Sequence, residues 1–138
     1  MATATFAMGC FWHPQTLYDQ LTGVTHTEVG YTGGTTKNPS YKEVCQGKSG
    51  HAEAVRIEYD ENKISYEELL EVFWNNHDYC QLNRQGVDVG EQYRSAIFYH
   101  NKTQQTQAKN SKPSDSVTQI VKATQWYKAE EYHQHYYT

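Results

Sequence analysis

A chain of 138 residues with a formal charge of −4 and a pI near 5.9 has the length of one domain, 1–138, and can bury a core without a disulfide or a metal to hold it. Its acidic balance and its lack of any Lys/Arg run exclude general binding to nucleic acid or anionic membranes, and no apolar run is long enough to span a bilayer. Three cysteines, Cys10, Cys45 and Cys80, are an odd number with no spacing that suggests a disulfide framework; with no leader-like N-terminus they predict a reduced, cytoplasmic, monomeric protein.

In chain order, TATFAM (3–8) alternates small and apolar residues and predicts a first strand. Leu17, Tyr18 and Leu21 then take helical spacing, and Pro14, tolerated in a first turn but no deeper, puts the start of that helix near His13–Pro14. THTEVGYTGG (25–34) predicts a strand ending in a Gly-Gly turn, followed by a polar loop through Asn38-Pro39. AEAVRIEY (52–59) predicts a strand with Val55, Ile57 and Tyr59 on one face. From Ser65, the stripe Tyr66, Leu69, Leu70, Phe73 and His77 predicts a helix, with Ser65 and Glu68 as a capping box. Residues 83–93 read as a glycine-punctuated loop, 94–100 as a strand, 102–110 as a polar helix, 117–123 as a last strand and 126–137 as a last helix. Strands alternating with helices predict an α/β (α+β) two-layer domain with helices packed on a small mixed sheet.

Cys10 falls where the first strand gives way to a helix, a place where N–H groups and the positive dipole end favour a thiolate. Cysteine is also among the most buried residue types, and position alone does not overturn the reading that it is simply packed. Glu53 shares strand parity with Val55, Ile57 and Tyr59, which aims it at the apolar face, where its pKa would rise as a general acid requires; if the strand starts later, it is merely solvated. Asp88, Tyr93 and Tyr41 sit in or beside loops, which often carry functional groups. His77 reads as a satisfied core histidine, and His77, Asp78 and Cys80 lack the spacing of a metal site.

Four blocks, GCFW (9–12), YKEVCQGKSGHAE (41–53), NRQGVDVGEQYRSAIFY (83–99) and AEEYHQ (129–134), occur in an order and spacing that resembles the A-type peptide methionine sulfoxide reductases over almost the whole chain. The resemblance implies a two-layer ferredoxin-like plait and thiol-based reduction of the S epimer of methionine sulfoxide, free or in oxidised proteins, with no bound cofactor. It implies Cys10 as nucleophile, Phe11 and Trp12 as the wall receiving the substrate methyl, Glu53 as the acid on the sulfoxide oxygen, Tyr41 and Tyr93 as hydroxyls holding that oxygen, and Asp88 as an assisting carboxylate. A sulfoxide becomes electrophilic at sulfur once its oxygen is protonated, so attack by a thiolate needs an acid nearby and leaves a cysteine sulfenic acid.

The sequence departs from that family's pattern where His13, Pro14 and Gln15 follow GCFW, and where Asp78-Tyr79-Cys80 stands for Asp-Pro-Thr. No cysteine follows Cys80, leaving Cys80, Cys45, or direct attack by thioredoxin, glutaredoxin, glutathione or dithiothreitol to reduce the sulfenic acid. Two other classes use the same residues: a cysteine hydrolase built on Cys10, His51 and Asp88, and a non-catalytic module presenting its aromatics to a ligand.

Overall fold

The computed structural model describes residues 2–47 and 49–137; Met1, Thr138 and Lys48, the last within the 41–53 block, lie outside the described residues. Strands β1 (Ala2–Met8), β2 (Val24–Thr32), β3 (Ala52–Tyr59), β6 (Ser95–Tyr99), β7 (Gln119–Lys122) and β8 (Trp126–Lys128) form one sheet in the order β7-β6-β1-β3-β2-β8. Among the described residues only β6 and β7 run parallel; the other pairs of this sheet are antiparallel. A separate two-residue hairpin, β4 (Arg84–Gln85) and β5 (Asp88–Val89), lies within the predicted 83–93 loop. Helices α1 (Trp12–Asp19), α3 (Tyr66–Asn75) and α4 (Lys102–Ser111) match the three expected internal helices, and Ser65 and Glu68 make the capping box that their spacing predicted.

Alternation along the strands builds two unequal faces. Ala4, Phe6 and Met8 of β1, Val29 and Tyr31 of β2, Val55, Ile57 and Tyr59 of β3 and Ile97 of β6 meet Tyr18 of α1, Leu69, Leu70 and Phe73 of α3 and Ala108 of α4. Phe6 centres this layer, its ring within 6 Å of the rings of Tyr18, Tyr66 and Phe73. The opposite face is floored by small side chains, Ala7, Ala52, Ala54 and Ala96, under Phe98 and Trp126.

Two elements differ from expectation. The loop before β3 contains a five-residue helix, α2 (Tyr41–Cys45), whose Ser40 and Glu43 form a second capping box. The expected helix over 126–137 is instead the edge strand β8 followed by a 3-10 turn over Glu131–His133. Tertiary packing overrides the local pattern here: β2 offers a free edge, and the Trp126 indole lies so close to Gly30 that a Cβ there would sit 2.6 Å from its ring. The turn after β8 is thereby carried across the C-terminal end of β2 and toward the GCFW segment.

Candidate active site

β1 runs between β3 and β6 and ends at Met8, delivering Cys10 to the edge of the sheet's interior. Gly9 turns the chain with φ +91°, and a Cβ there would lie 2.8 Å from Cβ and Cγ of Gln85 in β4, so both its conformation and its surroundings require glycine. α1 begins at Trp12 with Phe11 as N-cap, Pro14 in the first turn, no side-chain cap and no acidic residue in that turn. Cys10 is half-buried, and burial pushes its thiol up to about 11, against the pull of the Trp12 N–H; the charges of Glu53, Asp88 and Cys45 push further in the same direction. The support expected from the helix end is therefore outweighed. Cys10 rests as a thiol.

Glu53 lies in β3 opposite Tyr31, with the parity expected of it, and is 1% exposed. Its Oε1 accepts the backbone N–H of Phe11 at 3.3 Å, which ties the carboxyl to the residue beside Cys10. Its Oε2 is buried without a partner. Burial raises this carboxyl to about 8, opposed by the Phe11 N–H and reinforced by Asp88, so at neutral pH it is mostly a neutral acid. With Oε1 accepting, the proton belongs on Oε2, the oxygen with nothing else to hold it.

Tyr41 opens α2 and Tyr93 closes the 3-10 turn Glu91–Tyr93. Burial raises both phenols further above their ordinary range, so they stay protonated donors, and both feel the Glu53 charge. Both phenols and the Cys45 thiol act on one another electrostatically. Asp88, on the hairpin, is partly exposed, and its charge is felt by Cys10, Glu53 and Tyr93. Phe11 is 1% exposed against the rings of Tyr31 and His133, while Trp12 is half-buried with Tyr136 stacked on it at 3.9 Å and 9°. Cys10, Phe11, Trp12, Tyr41, Glu53, Asp88 and Tyr93 thus share one neighbourhood, with Cys45 among them.

Sequence reasoning missed its support. His133, 2% exposed, accepts the Trp12 indole N–H at Nδ1 (3.0 Å), and its Nε2 is buried without a partner. Burial holds this imidazole below its ordinary range, partly offset by Glu130. Glu130 accepts the Tyr31 hydroxyl at 2.8 Å and the Tyr41 backbone N–H at 3.0 Å; although burial opposes it, these donors hold its carboxyl below the usual range. The AEEYHQ block was visible in the sequence, and helical spacing would set Glu130 and His133 on one face, but the indole that His133 meets, Trp12, lies far away in the sequence.

Other candidates lie apart. Cys80, exposed, sets its thiol 3.5 Å from Asp115. His51 cannot serve as a hydrolase base: Nδ1 accepts the Gly34 N–H at 3.0 Å and Nε2 faces the Thr36 carbonyl at 2.7 Å, so both nitrogens are spent on closing a loop. His77 bonds the Phe73 carbonyl at 2.6 Å and the Ser95 hydroxyl at 2.7 Å, the satisfied histidine that its stripe predicted. Among the described residues, no group of three His, Cys, Asp or Glu is placed to hold a metal ion.

A half-buried thiol beside a protonated, buried carboxyl and two phenol donors defines a site for thiol chemistry on an oxygen-bearing substrate. The sequence model of peptide methionine sulfoxide reductase matches residues 2–138, and this chain belongs to that family. It is 52% identical to the peptide methionine sulfoxide reductase MsrA of Methanococcus maripaludis strain C5, over 98% of this chain and 90% of the relative. Among solved structures it resembles methionine sulfoxide reductase A of Corynebacterium diphtheriae, with TM-score 0.90 and 33% identity over 97% of this chain and 72% of the other. It resembles reduced Mxr1 of Saccharomyces cerevisiae equally well, with TM-score 0.90 and 32% identity over 98% and 83%; Mxr1 has also been solved in complex with Trx2, a structure this chain matches in fold at TM-score 0.66 and 22% identity.

Proposed function

We propose that this chain performs its family's reaction, reduction of methionine S-sulfoxide to methionine, by attack of Cys10 on the sulfoxide sulfur while Glu53 protonates the oxygen. The single observation that carries this reading is the Glu53 carboxyl, anchored through Oε1 to the N–H beside Cys10 and offering a buried, unpartnered Oε2. A sulfoxide oxygen approaching Oε2 receives its proton, which makes the adjacent sulfur electrophilic. Tyr41 and Tyr93 add hydroxyl donors to the same oxygen, and Trp12, steadied by His133, lines the methyl side with Phe11 behind it.

The chemistry balances without a metal or an organic cofactor. The thiol gives its proton to the site, its sulfur takes the oxygen, and the products are methionine and a sulfenic acid on Cys10. A thiol reductant then restores Cys10, with release of water. Thioredoxin is the reductant we assign, since Mxr1 forms a complex with Trx2; glutaredoxin with glutathione, or dithiothreitol, can supply the same electrons. Free methionine sulfoxide and oxidised proteins both present the group that the site reads.

Single-turnover assays with separate S and R sulfoxides test this. Wild type should release one equivalent of methionine from the S epimer alone, and Cys10→Ser none. Release by Cys10→Ser, or from the R epimer at equal rate, overturns the assignment.

A further inference from the structure

We propose that Glu130 is a positioning residue for the reduction: its carboxylate fixes the backbone of Tyr41, and with it the hydroxyl that Tyr41 offers to the sulfoxide oxygen. This rests on the assignment of Tyr41 as a donor to that oxygen. Glu130 is half-buried at the start of the turn after β8, and its two oxygens are divided between two elements. Oε2 accepts the Tyr41 backbone N–H at 3.0 Å, and Oε1 accepts the Tyr31 hydroxyl at 2.8 Å. Neither partner atom is one assigned to the substrate, so the carboxylate acts on the reaction through the tyrosine it holds.

α2 needs such a hold. Its five residues are too few to form a stable helix alone, and its capping box joins only near neighbours, Ser40 and Glu43. The N–H of the first residue in a helix has no acceptor within that helix, and for Tyr41 Glu130 supplies one from 89 positions away. The ring is held as well. It lies 4.3 Å from the His133 ring, and the His133 N–H closes its own turn on the Glu130 carbonyl at 2.9 Å. Glu130 and His133 thus grip Tyr41 at its backbone and at its ring.

The other end of the bridge is rigid. Tyr31 is fully buried, pairs in register with Glu53 across β2 and β3, and sets its ring 5.7 Å from that of Phe11. The carboxylate therefore ties the helix that bears the phenol to the strand pair that bears the acid. A catalytic donor displaced by about an ångström loses much of its effect, so what Glu130 supplies is position rather than charge. Glutamine can keep that position: its oxygen accepts the Tyr41 N–H while its amide nitrogen donates to the Tyr31 oxygen. Aspartate keeps the charge but is one methylene short of spanning both partners.

The test is a double-mutant cycle on single-turnover release of methionine from its S-sulfoxide, over a range of substrate concentrations, with melting curves to check folding. Tyr41→Phe should slow the maximal rate by about 10–10²-fold, and Glu130→Ala by a similar factor, with the half-saturating concentration little changed. In the Tyr41→Phe background, Glu130→Ala should cost less than about twofold. Glu130→Gln should stay within about threefold of wild type, and Glu130→Asp should lose more. Losses that multiply in the double variant, Glu130→Asp faster than Glu130→Gln, or Tyr41→Phe as fast as wild type each overturn the proposal, while continued methionine release leaves Cys10 as nucleophile. Absence of methionine from the wild type overturns the reductase reading itself. If Glu130→Ala does not fold, the order of the Gln and Asp variants, measured with and without the Tyr41 hydroxyl, decides the matter.

Discussion

Replacing Glu53 by Gln should make the protein more stable and the reaction slower, and both effects follow from one carboxyl. In the unfolded chain Glu53 titrates near its ordinary 4.5, in the native state near 8. Between those values the folded protein holds a proton that the unfolded chain has lost, so raising the pH favours unfolding. At pH 7 the accumulated loss is about 3 kcal/mol, at 1.36 kcal/mol for each pH unit above 4.5. Gln keeps the neutral shape and can still accept the Phe11 N–H without titrating. Glu53→Gln should therefore gain about 3 kcal/mol at pH 7, or roughly 6–12 °C in Tm, and the gap should close as the pH falls to 4.5.

The kinetic half of the same substitution is read from kcat/KM for the first turnover against pH. The reaction needs Cys10 as thiolate and Glu53 as acid, and their native pKa values, about 11 and about 8, stand in reverse order. The wild-type rate should rise with pH up to about 8, as thiolate accumulates, and then level off, because each gain in thiolate is offset by loss of the acid. Glu53→Gln should be slower by about 10²–10⁴-fold at pH 7 and should keep rising through pH 8 with no break. Urea unfolding at several pH values, paired with single-turnover kinetics, measures both. A variant no more stable than wild type at pH 7, or one that retains the break near 8, refutes the reasoning.

Gly9→Ala should destabilise by about 1–3 kcal/mol, since a positive φ and the Gln85 side chain both oppose a Cβ there; thermal melting would show it, and an unchanged Tm would contradict the geometry. Cys10→Ser should keep the far-UV spectrum and melting curve while losing all turnover, because a serine oxygen can take the place of the sulfur beside the Trp12 N–H. His133→Ala should leave the Trp12 indole N–H unpaired and raise KM for methionine sulfoxide more than it lowers kcat. A loss confined to kcat would show that His133 does more than position the indole.

The helical stripe of α3, the alternation of β3 and the Ser65–Glu68 cap were legible because each is a local pattern that packing reinforces. Glu53 was legible only in part: its parity with Val55 and Ile57 aims it inward once the strand has begun, and β3 begins one residue earlier, at Ala52. α2 went unread because five residues carry too little periodicity, although Ser40 and Glu43 spelled its cap. The segment after Trp126 was misread because its partners, the edge of β2 and the indole of Trp12, are about a hundred residues away in sequence. A helical pattern states what the segment would do alone, and β2 decides otherwise. Cys10 shows a subtler limit. The strand-to-helix junction predicted a favoured thiolate, but burial and nearby carboxyls are properties of the assembled site, and they reverse the sign.

That reversal bears on how the reaction is organised. Glu53, Asp88 and Cys45, the ionisable groups that act on Cys10 among the described residues, are all acids and each raises its thiol; Glu53 in turn is raised by burial and by Asp88. Lowering either pKa alone would leave a desolvated charge, an expense that the resting protein avoids by keeping both protons on. The arriving sulfoxide changes the balance, because its oxygen accepts from Glu53 Oε2 and its sulfur takes electron density from Cys10. One proton and one electron pair then move in opposite senses around a site whose net charge is unchanged. Such a site needs no cation to activate its sulfur. Introducing one, as in Asp88→Lys, should lower the Cys10 pKa, speed alkylation by iodoacetamide at pH 7, and leave reduction no faster, since the same cation draws the proton off Glu53. Faster reduction in that variant would show that thiolate supply, rather than the paired acid, limits the first step.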